Sequence, residues 1–185
     1  MGIDGIFATI AAILIAVLVE QFATPASAAS STGPTRMSIA QVESLAAATI
    51  NQNGLNTISP TMAVSIALVE SGDINNPAAG IATNAIRQET GGRESVGIMQ
   101  TLVSTATQMY DMGFKAYGPP TKQTLLDPAV SMYFGCAYLA WLRTYAGTFH
   151  TDDFIVQSYN AGPANPDQPY LVKYEIALNN VEYGP

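Results

Sequence analysis

The sequence has few of the residues that build covalent and metal cross-links. Cys136 is the only cysteine among the 185 residues, so no disulfide can form within the chain. His150 is the only histidine, and one imidazole without a cluster of cysteine or histidine partners does not make a zinc site. The composition therefore predicts neither a disulfide-stabilised fold nor a metal centre.

Charge is also scarce, and positive charge most of all. Charged residues make up 11% of the chain, and the excess of Asp and Glu over Lys and Arg gives a formal net charge of -7. A surface that binds nucleic acid needs a basic stripe, so we predict no nucleic-acid partner. No glycine-rich phosphate loop follows a strand pattern, and we expect no cofactor.

Apolar residues are abundant, and their longest uninterrupted run lies near the N-terminus. Residues 6–19 are apolar apart from Thr9, a length that suits the core of a signal peptide, and polar ends extend the segment to about 20 residues, enough to reach across a bilayer. The sequence Ala-Ser-Ala at 26–28 fits a cleavage site, but no Lys or Arg precedes the run. We favour a retained anchor at 1–23, in the membrane through 6–23. The alternative is a signal whose cleavage removes 1–28 and leaves a secreted protein.

The rest of the chain divides into a linker and one helical domain. Residues 24–36 lack large apolar side chains and are typical of a flexible linker. From residue 37 to 185 helical periodicity dominates, which predicts an all-α or mainly α domain. The predicted helices cover residues 38–52, 60–71, 103–112, 128–145, 152–159 and 169–180. Residues 73–95 are rich in turn formers, and we interpret them as a long loop with a short helical turn near 82–87.

Glu70 closes the second predicted helix, which is apolar nearly all round and therefore expected to be central and buried. Burial disfavours the charged carboxylate, and the negative end of the helix dipole acts in the same direction, so both raise the pKa of Glu70. No Lys or Arg lies within 16 residues on either side, and we expect no local cation to oppose the shift. A carboxyl still protonated near neutral pH suits a general acid for glycosidic cleavage. The alternative is a surface glutamate that ends a helix.

Four sequence blocks occur in order along the chain. They are ESGD at 70–73, SVGIMQT at 95–101, LLDPAVSMYFGCAYLAWL at 125–142 and QSYNAGP at 157–163. Together they resemble the catalytic domain of lytic transglycosylases of the soluble type, over roughly residues 60–178. The resemblance implies a lysozyme-like helical fold and an enzyme that cleaves peptidoglycan glycan strands.

The resemblance also implies a role for each matching residue. Glu70 matches the family's single catalytic acid and base, and Tyr159 and Asn160 match the pair that faces it across the cleft. The implied substrate-binding residues are Ser71, Gly97, Met99, Gln100, Tyr159 and Asn160. Two plainer interpretations stay open: Tyr159 packs in the core, and Asn160 is a turn residue at a helix end.

By resemblance, one carboxyl performs both halves of the reaction. Glu70 protonates the oxygen between MurNAc and GlcNAc, then takes the proton of the MurNAc C6 hydroxyl, which attacks C1 and closes a 1,6-anhydro ring. Most glycosidases use two carboxylates. Asp73, Glu89 and Glu94 are the candidates for a second one, and such a pair would indicate a lysozyme-type hydrolase.

The segment between Glu70 and Gly97 departs from the family pattern, because it is longer and carries GIATNAIRQETGGRE in place of the usual Ser-x-x-Gly-Ala. It is either a lid or partner-binding loop over the cleft, or a solvated surface that includes Arg87 and Arg93.

The predicted function is a membrane-anchored, extracytoplasmic lytic transglycosylase for wall remodelling or penetration, within a secretion or pilus apparatus or a virion membrane. The alternative is a catalytically silent glycan-binding or structural subunit of a larger assembly.

Overall fold

The computed structural model describes residues 35–165 and 167–184. The predicted anchor at 1–23 and most of the predicted linker lie outside these residues. Among the helices that are described, none combines the length and the apolar character needed to cross a bilayer. The last predicted linker residue, Arg36, belongs to the first strand of the domain.

Six α-helices form most of the domain, and the mainly α prediction is confirmed. They are α1 (Ile39–Gln52), α2 (Pro60–Ser71), α3 (Val103–Asp111), α4 (Pro128–Arg143), α5 (Asp152–Ala161) and α6 (Gln168–Tyr183). The polar residues that precede α1, α2 and α4 act as N-caps: the side chains of Ser38, Ser59 and Asp127 each accept a backbone N–H from the first turn. Proline follows the cap of α2 and α4, where its missing N–H costs nothing.

The segment expected to be a loop contains most of the β-structure. Strands β1 (Arg36–Met37) and β2 (Ile81–Ala82) pair antiparallel. Strands β3 (Ile86–Glu89), β4 (Arg93–Val96) and β5 (Thr101–Leu102) form a second antiparallel sheet in which β3 and β4 make a hairpin. The expectation of a loop with a helical turn near 82–87 is therefore wrong. Most of β3 is exposed, and its sequence has no alternation of apolar and polar residues. The pattern that identifies a half-buried strand is therefore missing.

Helix α2 is the centre of the domain. It packs against α1 and α6 and also contacts α4. Every residue from Met62 to Leu68 is buried, as predicted for a helix that is apolar on all sides. Glu70 and Ser71 extend this buried helix by its last turn, and both are also buried.

Two glycines allow the segment before β5 to approach α4. Gly97 has a φ of 79°, and a Cβ placed on it would lie 2.1 Å from the carbonyl oxygen of Leu125. A Cβ on Gly135 of α4 would lie 2.7 Å from the Cβ of Met99. Any larger residue at either position would collide with its neighbour, so the Gly-Ile-Met-Gln segment depends on glycine on both sides of this contact.

Candidate active site

Glu70 lies at the wall of a cleft of about 330 Å³. Its side chain is 7% exposed, so the carboxyl reaches the cleft from the end of the buried helix α2. The polar residues that line the cleft come from α2, the β3–β4 hairpin, the segment 100–101, α3, α4 and α5; they are Glu70, Arg87, Glu89, Arg93, Ser95, Gln100, Thr101, Thr105, Tyr138, Tyr159 and Asn160. Such a polar lining offers donors and acceptors suited to sugar hydroxyl and acetamido groups.

Tyr170 is the tyrosine that contacts Glu70. Its hydroxyl donates to Oε1 of Glu70 at 2.6 Å, from the first turn of α6. Asp167 caps α6 by accepting the backbone N–H of Tyr170, and Asn160 donates its side-chain amide to the same carboxylate. Asn160 therefore links the cleft to the helix turn that carries Tyr170. The sequence blocks assign no role to Tyr170. The local signal that could have pointed to its position is Asp167, the cap residue three positions before it.

Arg87 contacts Glu70 from the opposite side. Its Nη1 lies 3.2 Å from Oε2 of Glu70, and its Nη2 donates to the backbone carbonyl of the same residue at 2.6 Å. The expectation that no cation opposes the pKa shift of Glu70 is therefore wrong. Arg87 is 17 residues from Glu70 along the sequence, and the fold of the segment after α2 returns it to the helix end.

Burial has the largest effect on the pKa of Glu70 and raises it above its ordinary value of 4.5. The hydrogen bond from Tyr170 and the charge and hydrogen bond of Arg87 act in the opposite direction, and the negative charge of Glu89 adds a smaller upward effect. The pKa remains raised, as predicted. Burial also holds the pKa of Tyr170 and Tyr159 well above that of free tyrosine, so both hydroxyls keep their protons near neutral pH.

Glu89 is a second carboxylate in the same cleft. Ser95 Oγ lies 2.7 Å from Oε1 of Glu89 and 3.0 Å from Oε1 of Gln100, so it connects the hairpin to the Gly-Ile-Met-Gln segment, which forms the floor of the cleft. The other two candidates for a second carboxylate point elsewhere. Glu94 pairs with Lys122 at 2.7 Å, and Asp73 is exposed and accepts the backbone N–H of Asn75.

Three of the six predicted substrate-binding residues line the cleft, and the other three are buried outside its lining. Gln100, Tyr159 and Asn160 line the cleft, and Ser71, Gly97 and Met99 are buried and are not among its lining residues. Ser71 Oγ lies 2.6 Å from the carbonyl oxygen of Ile98, which ties α2 to the Gly-Ile-Met-Gln segment.

Gln100 and Tyr159 direct their polar groups to the protein as well as lining the cleft. The amide of Gln100 donates to the carbonyl oxygens of Ala85 and Gly97, and the hydroxyl of Tyr159 donates to the carbonyl oxygen of Met99 at 2.8 Å. These bonds fix the conformation of the segment 97–100 beneath the cleft. Sugar binding by the six residues stays a prediction.

The comparison with protein families matches residues 47–175 to the transglycosylase SLT domain. Among solved structures, the chain is similar to the 70 kDa soluble lytic transglycosylase of Escherichia coli, with 24% identity and a TM-score of 0.44. That similarity covers 68% of this chain and 19% of the other, so the chain spans about a fifth of that enzyme's length. The comparison with curated proteins finds no match. Because the family match covers well over half of its residues, the chain belongs to the transglycosylase SLT domain family.

Proposed function

We propose that this protein is a peptidoglycan lytic transglycosylase in which Glu70 is the catalytic acid and base. Membership of the SLT family supports the reaction class. The observation that carries the assignment of Glu70 is its environment: a buried carboxyl with a raised pKa, open to a polar cleft and held by Tyr170 and Arg87. A buried acid with specific charged and hydrogen-bonding partners in a cleft is the arrangement expected of a catalytic group.

The reaction begins with protonated Glu70, the form that burial favours. The carboxyl gives its proton to the oxygen between MurNAc and GlcNAc, the bond from that oxygen to C1 of MurNAc breaks, and GlcNAc leaves with a new hydroxyl. The acetamido oxygen of MurNAc stabilises the positive charge that develops at C1. The hydroxyl of Tyr170, which donates to Oε1, stabilises the carboxylate that Glu70 has become.

The second half returns the proton. The carboxylate of Glu70 accepts the proton of the MurNAc C6 hydroxyl while that oxygen bonds to C1 and closes the 1,6-anhydro ring. Glu70 is protonated again, and no water enters the product. The same group serves as acid and then as base, so its pKa must allow both forms at the working pH.

Glu89 favours a second candidate function, a hydrolase of the lysozyme type. It lies in the same cleft as Glu70, and two carboxylates in one cleft are the usual arrangement in enzymes that activate water. The two functions leave different ends on the glycan. A transglycosylase leaves 1,6-anhydro-MurNAc, which is lighter by one water than the reducing MurNAc left by a hydrolase.

The test is mass spectrometry of the muropeptides that the full chain releases from purified peptidoglycan. We expect 1,6-anhydro ends from the wild type and from Glu89→Gln alike. Reducing MurNAc ends that disappear in Glu89→Gln would establish hydrolysis instead. No release by the folded wild type would favour the catalytically silent glycan-binding or structural subunit.

We also propose that the domain works outside the cytoplasm, where peptidoglycan lies, and that residues 6–23 hold it at a membrane, in a larger assembly or a virion. The apolar segment at 6–19, in which Thr9 is the one polar residue, supports the anchor. Mass determination of the mature chain tests it, because an anchor keeps the N-terminal residues and a secretory signal loses residues 1–28.

A further inference from the structure

We propose that Arg87 is a positioning residue for Glu70: its guanidinium fixes the orientation of the carboxyl and stabilises the carboxylate between the two proton transfers. The inference rests on the proposed function and adds a residue to it. Arg87 lies in the segment that departs from the family pattern, so neither the matched blocks nor the implied roles include it.

The contact of Arg87 with Glu70 has two parts that act on one residue. Nη1 reaches the carboxylate oxygen Oε2 at 3.2 Å, and Nη2 donates to the backbone carbonyl of Glu70 at 2.6 Å. The planar guanidinium of Arg87 thereby fixes the carboxyl of Glu70 relative to the backbone of Glu70. A lysine ammonium cannot make both contacts with the same geometry. Oε1 is held by Tyr170, so each carboxylate oxygen has its own donor.

The strand that carries Arg87 is fastened to the floor of the cleft. Arg87 pairs with Ser95 across the hairpin, and Ser95 lies within hydrogen-bond distance of Gln100. Gln100 in turn donates to the carbonyl oxygen of Ala85, two residues before Arg87. A residue held on a paired strand keeps its place better than one on a free loop, which suits a positioning role. The side chain of Arg87 is 52% exposed and lines the cleft.

The charges around Glu70 define what Arg87 contributes. Burial and Glu89 favour the protonated carboxyl, whereas Tyr170 and Arg87 favour the carboxylate. With Arg87 removed, Tyr170 alone opposes burial, and Glu70 becomes a weaker acid that gives up its proton less readily. An opposite charge at this range typically lowers a carboxyl pKa by about 1–3 units, and partial exposure of Arg87 places its effect near the lower end.

The experiment is a titration of Glu70 in the substrate-free full chain, followed by the ¹³C chemical shift of its side-chain carboxyl and identified by the loss of that signal in Glu70→Gln. Arg87→Gln removes the charge, Arg87→Lys keeps it, and Arg93→Gln removes a charge from the same hairpin. Arg93 provides a matched control because it lines the cleft but its Nε contacts the carbonyl oxygen of Thr90. We expect Arg87→Gln to raise the pKa of Glu70 by about one unit, Arg87→Lys to restore part of the difference and Arg93→Gln to change it little.

The activity of the same variants gives an independent measurement. The alkaline limb of the pH–rate profile reports loss of the proton from Glu70, so it should move to higher pH in Arg87→Gln by the same amount as the pKa. An unchanged pKa in Arg87→Gln, or an equal shift in Arg93→Gln, would overturn the proposal. Because the titration needs no substrate, its result stands apart from the proposed function, which inactivity of the wild type would contradict.

Discussion

Tyr170 donates its hydroxyl hydrogen to Oε1 of Glu70 at 2.6 Å across a sequence separation of 100 residues. The contact joins the last turn of α2 to the first turn of α6, two helices that pack against each other along the domain. Tyr170 is 5% exposed, so the bond lies in a region where water does not compete for either partner. The fold thus supplies the buried carboxyl with a neutral donor, and Arg87 supplies the charged one.

Replacement of Tyr170 by phenylalanine is expected to weaken the site through Glu70. The lost hydrogen bond no longer stabilises the carboxylate, so the pKa of Glu70 rises further and the rate of glycan cleavage falls by about tenfold, or roughly 1.4 kcal/mol. The measurement is the pH dependence of muropeptide release, whose alkaline limb should move to higher pH.

Tyr159→Phe is the matched control for that change. Its hydroxyl donates to the carbonyl oxygen of Met99, and the lost bond is expected to lower the free energy of unfolding by about 1 kcal/mol. The alkaline limb should stay close to its wild-type position. If instead Tyr159→Phe moves the limb and Tyr170→Phe does not, Tyr159 is the tyrosine that acts on Glu70.

The stability of Glu70→Gln should depend on pH relative to the wild type. The unfolded chain loses the Glu70 proton near 4.5, and the folded chain keeps it to a higher pH. Between these two pKa values the folded state binds more protons, so wild-type stability falls as pH rises through the window. Glutamine carries no titrating proton, and its advantage grows by about 1.4 kcal/mol for each unit between the two pKa values.

Denaturant unfolding of both proteins across that pH range measures the difference. Below the unfolded pKa the two free energies of unfolding should follow each other in parallel. Above the folded pKa the gap should again be constant, but shifted toward the variant by the amount gained between the two pKa values. A gap that does not change with pH would mean that burial does not raise the pKa of Glu70.

Alanine at Gly97 or Gly135 should destabilise the domain without touching the carboxyl. The Cβ at Gly97 meets the carbonyl oxygen of Leu125, and a positive φ adds strain, so we expect a loss of about 3 kcal/mol or more. At Gly135 the clash is with Met99, and we expect a loss of roughly 1–3 kcal/mol.

Gly118→Ala is the control for both glycine variants. A Cβ at Gly118 has no heavy atom within 4 Å, and its backbone is outside the left-handed region. Thermal unfolding should therefore show a small change, with a gain of up to about 1 kcal/mol from the lower entropy of the unfolded chain. Equal losses at Gly118 and Gly97 would contradict the packing account of the Gly-Ile-Met-Gln segment.

The positions of the helices and the burial of α2 could be predicted from the sequence, because they depend on residues close together in the chain. Ser59 and Asp127, each followed by proline, are local signals for the starts of α2 and α4. The apolar composition of α2 predicted the burial of the helix and of Glu70. These signals depend on neighbours within one or two helical turns, where propensity and periodicity act.

The contacts of Glu70 could not be predicted in the same way. Tyr170 reaches it from another helix, and Arg87 reaches it through a hairpin whose strands have no apolar alternation. Register between β3 and β4 is set by backbone pairing and polar contacts such as that of Gln88 with Glu94. Tertiary packing therefore decides the electrostatics of the carboxyl, and a count of nearby cations along the chain does not.

The most direct test of the central claim compares glycan cleavage by the wild type and by Glu70→Gln, in the full chain and at the same protein concentration. Unfolding curves first verify that the variant is folded. The account predicts 1,6-anhydro-muropeptides from the wild type and a loss of at least about a hundredfold in their release by Glu70→Gln, because glutamine can neither give nor take the proton. Equal release by the folded variant would contradict it.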